Sequence, residues 1–179
     1  MKPFVRELLI TVGIAVVIFI GARQTIQTYE VFQTSMLPNF HQGQRVVVNK
    51  LAYVFGHPQR GDVIVFKSPV EPQEDFIKRI IGLPGDSVEI KNGFVYVDGV
   101  ALNEPYIAQA PEYTMAAEKI PAGEYFVLGD NRNYSNDSHT GWLVPAANIH
   151  GKAWLSTWPP DDWGVIPHYG LNAQVAAGQ

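Results

Sequence analysis

The sequence predicts an all-β domain, a folded antiparallel sheet closing toward a barrel, behind one N-terminal transmembrane helix. Three observations predict it. Short β-branched and aromatic runs recur between turn residues, Asn92-Gly93 joins two such runs in the strongest short hairpin signal, and no long amphipathic helix interrupts them. The 179 residues, 46% of them hydrophobic, suffice for the core of one ordinary domain plus an appendage.

In chain order, 1–7 reads as a short cytoplasmic N-terminus, 8–28 as the anchor, 29–160 as an extracytoplasmic β-rich domain and 161–179 as a tail. Residues 8–22 carry no charge and are flanked by Lys2, Arg6 and Arg23, and neutral 25–28 extends the run toward the length a span needs. A removed signal peptide and a buried core helix compete with the anchor. The first wants small residues at −3 and −1, and Ile20-Gly21-Ala22 supplies only part of that; the second wants a polar face, and only Thr11 offers one. The anchor is preferred, with Lys2 and Arg6 inside. Strands are expected at 31–35, 45–49, 63–66, 76–81, 88–91, 94–97, 125–128 and 153–157, and the Pro-, Gly- and Ala-rich end is expected to fray.

Charge and cysteine usage exclude some functions. Residues 24–179 hold 10 basic against 16 acidic side chains, which does not suit a nucleic-acid surface. Cysteine is absent, so neither a disulfide framework nor a thiolate metal site is available. The histidines, His41, His57, His139, His150 and His168, show no ligand spacing, and no metal or cofactor is expected.

Three segments carry candidate chemistry. In the 76–81 strand, alternation puts Phe76, Lys78 and Ile80 on one face and Ile77, Arg79 and Ile81 on the other. A lysine buried among such neighbours finds a carboxylate or loses its proton and becomes a base; alternatively, both cations snorkel outward from an edge strand. Ser35 follows Gln33-Thr34 and precedes Met36-Leu37-Pro38, with no G-x-S-x-G elbow around it. It needs a base to become a nucleophile, or else it only bonds the local backbone. Segment 129–139 is crowded with polar groups, as an ordered network would be. A triad of Ser35, His139 and Asp137 stays open on spacing, while Lys78 is the more specific partner.

Four motifs then occur in order: Ser-Met-x-Pro at 35–38, Arg-Gly-Asp-Val-Ile-Val-Phe at 60–66, Lys-Arg-x-x-Gly-Leu-Pro-Gly-Asp at 78–86, and Gly-Asp-Asn-Arg at 129–132 followed by Ser135, Asp137 and Ser138. From the anchor to about Trp158 the chain resembles the bacterial type I signal peptidases, membrane-bound serine proteases whose catalytic core is LexA-like. The resemblance implies Ser35 as nucleophile, Lys78 as general base, Ser135 as the group orienting the amine, and Asp137, Asp130 and Arg132 as its supporting network. It also implies the Ser35 N–H as one oxyanion donor, and Met36, Phe76 and Ile77 beside the substrate. Gln33 stands where several relatives carry a hydroxyl, leaving Gln33, Thr34 or water as the second donor. His139 stands where relatives commonly carry an arginine paired to the aspartate, so this network is expected to respond to pH. The implied substrates are exported preproteins cut after Ala-x-Ala-like sites, added as a strand between 31–35 and 75–78. The implied setting is a single-pass monomer in the lipid of the cytoplasmic membrane. Two other readings are an inactive tethered peptide-binding domain and a LexA-type self-cleaving protease; intact Ser35 and Lys78 oppose the first, and the anchor without a DNA-binding helical domain opposes the second.

Overall fold

The computed structural model describes residues 3–178, so Lys2 lies outside them, as does the side chain of Arg23. Helix α1 (Pro3–Thr25) leads directly into strand β1 (Ile26–Glu30). Its apolar residues face outward over consecutive positions, Leu8, Leu9 and Ile10 as well as Val16 and Val17. Among the described residues no helix is long and apolar enough to cross a membrane. The expected 8–28 helix is also too long at its C-terminal end: β-branched and aromatic residues from Ile26 onward pair with β2 (Arg45–Asn49), Tyr29 opposite Val46.

Strands β3 (Val63–Lys67), β4 (Asp75–Gly82), β9 (Glu124–Leu128), β10 (Val144–Pro145) and β11 (Ile149–Trp158) complete the main sheet, ordered β1-β2-β11-β3-β4-β9-β10. Short β12 (Gly164–Val165) pairs with β11. A second sheet follows the order β7-β6-β5-β8, from β5 (Ser87–Lys91), β6 (Phe94–Val97), β7 (Val100–Ala101) and β8 (Met115–Lys119). Pairing is antiparallel throughout, and the predicted β5–β6 hairpin turns at Asn92 (φ 53°) and Gly93 (φ 78°), the left-handed pair a two-residue turn requires.

The all-β expectation holds for the domain, with two local corrections. Residues 31–35 are not a strand. Ladder pairing ends where the Val31 N–H bonds the Gln44 carbonyl at 2.8 Å, after which 34–40 coils into turns, with the N–H groups of Asn39 and Phe40 both on the Met36 carbonyl at 3.0 Å. Nor does the tail fray. Helix α2 (Leu171–Ala177) buries Leu171 and Val175 against Ile81, Val88 and Phe126, apolar burial that outweighs the weak local signal.

Strand β4 is the hub of the core. Ile81 packs in the cluster with α2, Phe76 and Ile80 pack with Phe66 and Val127, and Ile77 packs on Met36 and Val46. The strand therefore lies between apolar layers on both faces, and any cation on it is cut off from water.

Candidate active site

Lys78 and Arg79 are 0% and 1% exposed, so neither snorkels. They solve the burial problem differently. Arg79 is paired: its Nε and Nη2 donate to Asp130 at 2.8 and 2.7 Å. Lys78 lies opposite Ile64 with the Phe76 ring centroid 5.0 Å from Nζ, and Nζ donates to the Ser35 hydroxyl oxygen at 2.7 Å. Burial lowers its pKa from 10.5 to about 8, against the opposing pull of Asp137 and then Asp130. At pH 7 a pKa near 8 leaves about one amine in eleven neutral, compared with roughly one in 2,500 for an ordinary lysine. A neutral amine 2.7 Å from a hydroxyl can take its proton.

The turn carrying Ser35 is held by the 129–131 segment. The Asn131 N–H donates to the Ser35 carbonyl at 2.9 Å and its side-chain amide to the Thr34 carbonyl at 3.1 Å. Gly129 makes this approach possible, since a Cβ there would lie 2.3 Å from Ser135 Oγ and 2.4 Å from the Ser35 carbonyl oxygen. Gly129→Ala is thus expected to displace one of them and lower kcat/KM about a hundredfold, the scale of an ångström-sized misplacement. A variant within twofold of wild type overturns that reading of Gly129.

Ser135 Oγ is buried beside this junction with no hydrogen-bond partner among the described residues, leaving its hydroxyl available to the site. Asp137 is fully buried; Oδ2 accepts the Gly129 N–H at 2.8 Å and Oδ1 lies 2.6 Å from His139 Nδ1. The triad left open on spacing is not formed: Ser35 Oγ meets Lys78, and the His139 ring nitrogen bonds Asp137. Asp130 and Arg132, expected in the supporting network, form two separate ion pairs, Asp130 with Arg79 and Arg132 with Glu104 at 2.7 Å for both prongs. Asp130 also pulls on the Lys78 charge, and Arg132 Nε bonds the Gly129 carbonyl at 3.1 Å.

Met36 is fully buried in the core beneath Ser35, whereas Gln33 and Thr34 are exposed. An open cleft of about 480 Å³ runs between 28–33 and 74–77, lined on one side by Val31 and Gln33 and on the other by Phe76 and Ile77. Here β4 lacks a second neighbour, because its pairing with β9 begins only at Arg79. Ile80 directs its N–H and C=O to Asp62 and Gly61 on the β3 side, and strand alternation turns those of Ile77 toward the cleft. Sequence reasoning missed Gly129, Asn131 and Glu104. Gly129 had a signal, a glycine directly before a dense polar segment; Glu104 had none.

A serine hydroxyl against a buried lysine with a lowered pKa, beside a free strand edge, is the layout of a Ser/Lys peptidase. The chain belongs to the signal peptidase family, peptidase S26, whose sequence model matches residues 4–158. Among its relatives are a probable signal peptidase I-1 of Synechocystis sp., 48% identical over 139 residues (74% of this chain and 71% of the relative), and a signal peptidase I of Leptolyngbya laminosa, 42% identical over 165 residues (87% and 81%). A solved signal peptidase I of Enterococcus faecalis is 36% identical, covering 53% of this chain and 95% of its own, with a TM-score of 0.49.

Proposed function

We propose that this chain is a signal peptidase I that cuts preproteins after Ala-x-Ala-like sites, with Ser35 as nucleophile and Lys78 as general base. The observation that carries the assignment is the 2.7 Å contact between Ser35 Oγ and a lysine with no exposed surface. In the first step Lys78 takes the hydroxyl proton as Oγ bonds to the scissile carbonyl carbon. Collapse breaks the C–N bond, and the proton passes from Lys78 to the departing amine of the mature protein. Water, deprotonated by the Lys78 amine, then attacks the ester carbonyl, and Lys78 returns the proton to Ser35 Oγ as the C–O bond breaks and the carboxylate leaves. The Ser35 N–H stabilises the oxyanion, and Gln33, which lines the cleft, supports the reading of its amide as the second donor. Ser135, whose hydroxyl has no hydrogen-bond partner among the described residues, is the group left to orient the amine once substrate is bound.

The signal peptide adds as a strand along the free edge of β4, pairing with the backbone of Ile77. The described part of α1 supports its role as a single-pass anchor through its run of outward apolar residues, with Arg6 on the cytoplasmic side. On that reading the full chain stays with the membrane in an alkaline carbonate wash, and its release overturns the anchor.

The test of function mixes purified protein in detergent with a preprotein carrying an Ala-x-Ala site, with and without Ser35→Ala. A Ser35-dependent cut at that bond is expected; no cut sinks the assignment, and a cut only within its own chain favours a self-cleaving protease. Because the amine must be neutral to act, kcat/KM is expected to fall steadily as pH drops below about 8. A profile flat from pH 6 to 9 excludes Lys78 as the base.

A further inference from the structure

We propose that His139 is a positioning residue that tunes Lys78 through Asp137: its imidazolium cancels the carboxylate charge that otherwise holds the lysine amine protonated. The inference rests on Lys78 being the general base. Three buried or nearly buried carboxylates surround this region, and their counter-charges differ in kind. Asp130 is locked to Arg79 and Glu104 to Arg132, both guanidiniums that stay charged at any working pH. Asp137 has His139, a side-chain type whose charge changes between about pH 5 and 8. Among the described residues it is the one carboxylate acting on Lys78 whose compensation can be switched.

The geometry supports transmission. Asp137 touches His139 through Oδ1 and the Gly129 N–H through Oδ2, and Gly129 is where Ser35 and Ser135 meet. Of the carboxylates that hold Lys78 protonated, Asp137 has the larger effect. The His139 side chain is 20% exposed, so protons reach it from solvent. Its surroundings accept a cation. The Tyr113 ring stacks on it at 4.0 Å and 20°, presenting a π face, and burial followed by the Asp137 charge keeps the Tyr113 phenol neutral. The charged groups next nearest Tyr113 are Arg132 and Glu104, which cancel each other. Across Gly129 stand Lys78 itself and Asp130, already paired.

The sign follows from the charges. With His139 neutral, Asp137 faces Lys78 as a bare anion and favours ammonium; with His139 protonated, that pull is lost and the neutral amine is favoured. Acidification therefore partly offsets its own effect on the base, and the acid limb of the rate profile is shallower than a single titration. The test measures kcat/KM from pH 5 to 9 on the preprotein for wild type, His139→Arg and His139→Gln. The arginine variant should run parallel to the glutamine variant but half to one pH unit lower, about three- to tenfold faster at a fixed pH on the acid limb. Wild type should move from the glutamine variant toward the arginine variant as pH falls. Coincident limbs, or one constant factor of loss at every pH, overturn the proposal. In parallel, the Lys78 amine is titrated by NMR in Ser35→Ala protein with His139 kept, with His139→Gln and with His139→Arg. A midpoint half to one pH unit lower with arginine than with glutamine is expected, as is a shallower acid side with His139 than with glutamine; matching curves overturn the coupling, and the second comparison stands even if the arginine variant fails to fold. Inactive wild type would sink the Ser35/Lys78 assignment instead, leaving the NMR result to decide the coupling.

Discussion

Lys78→Met abolishes cleavage yet makes the domain more stable at neutral pH. Loss of the general base should lower kcat by at least about 10³-fold, the upper part of the range for proton transfer by a positioned side chain. Stability moves the other way because this lysine is buried at a cost. Its folded pKa of about 8 lies below the ordinary 10.5, a difference of roughly 3 kcal/mol against folding when the amine must be charged. Methionine removes that cost but leaves the Ser35 hydroxyl without its 2.7 Å partner, returning about 1 kcal/mol, so a net gain of about 2 kcal/mol is expected. The pH dependence fixes the sign. The unfolded chain holds this proton up to about pH 10.5 while the folded chain releases it near 8, so the penalty is full below pH 8, shrinks as pH rises and is gone above 10.5. Urea midpoints should thus favour Lys78→Met at pH 7, cross those of wild type near pH 10 and fall below them, by about 1 kcal/mol, at higher pH. A methionine variant less stable than wild type at pH 7 refutes the account of Lys78 as a strained, proton-poor amine. Lys78→Arg gives the counterpart result, inactive and less stable, because a guanidinium in the same place cannot shed its charge.

Why Lys78 was legible in the sequence and Arg79 only half so is a matter of where their partners lie. The alternation of β4 alone placed the two cations on opposite faces, and the apolar residues between them marked the strand as buried. The dyad emerged because Ser35 sits in a short motif that travels with Lys78 in its family. For Arg79 the alternation gave only its face, because its carboxylate is 51 positions away on another element, a pairing no local pattern announces. For the same reason the ion-pair partners of Asp130 and Arg132, which are Arg79 and Glu104, were not legible beside them. The hairpin at Asn92-Gly93 was secure because its signal is entirely local. Errors fell where tertiary contact overrides local preference: the helix-to-strand change at Ile26, the turn at 34–40, and the tail, whose Leu171 and Val175 find a core to enter.

Asp130→Ala should be the most destabilising single change in the domain, by about 3–5 kcal/mol, because it strands a buried guanidinium. Arg79 is 1% exposed and packs over the Tyr106 ring at 4.2 Å and the Tyr169 ring at 5.2 Å, so it has no route to water. Without Asp130 it keeps only the Gly61 carbonyl at 3.0 Å, and the Asn39 amide loses its 2.8 Å acceptor as well. Against a typical total of about 5–15 kcal/mol, that loss brings the fold close to its threshold. The double replacement Arg79→Met with Asp130→Leu removes both charges together and should recover most of the stability, since the desolvation cost of the pair goes with its attraction. Denaturant midpoints of the two singles and the double close the cycle; an Asp130→Ala loss under 1 kcal/mol, or a double variant no better than the singles, would show that the pair is not what holds this region. The catalytic readout separates scaffold from chemistry. Asp130 lies between Gly129 and Asn131, which fix the Ser35 turn, so the double variant should regain stability more fully than kcat, its Ser35 carbonyl held by a segment that has lost its anchor.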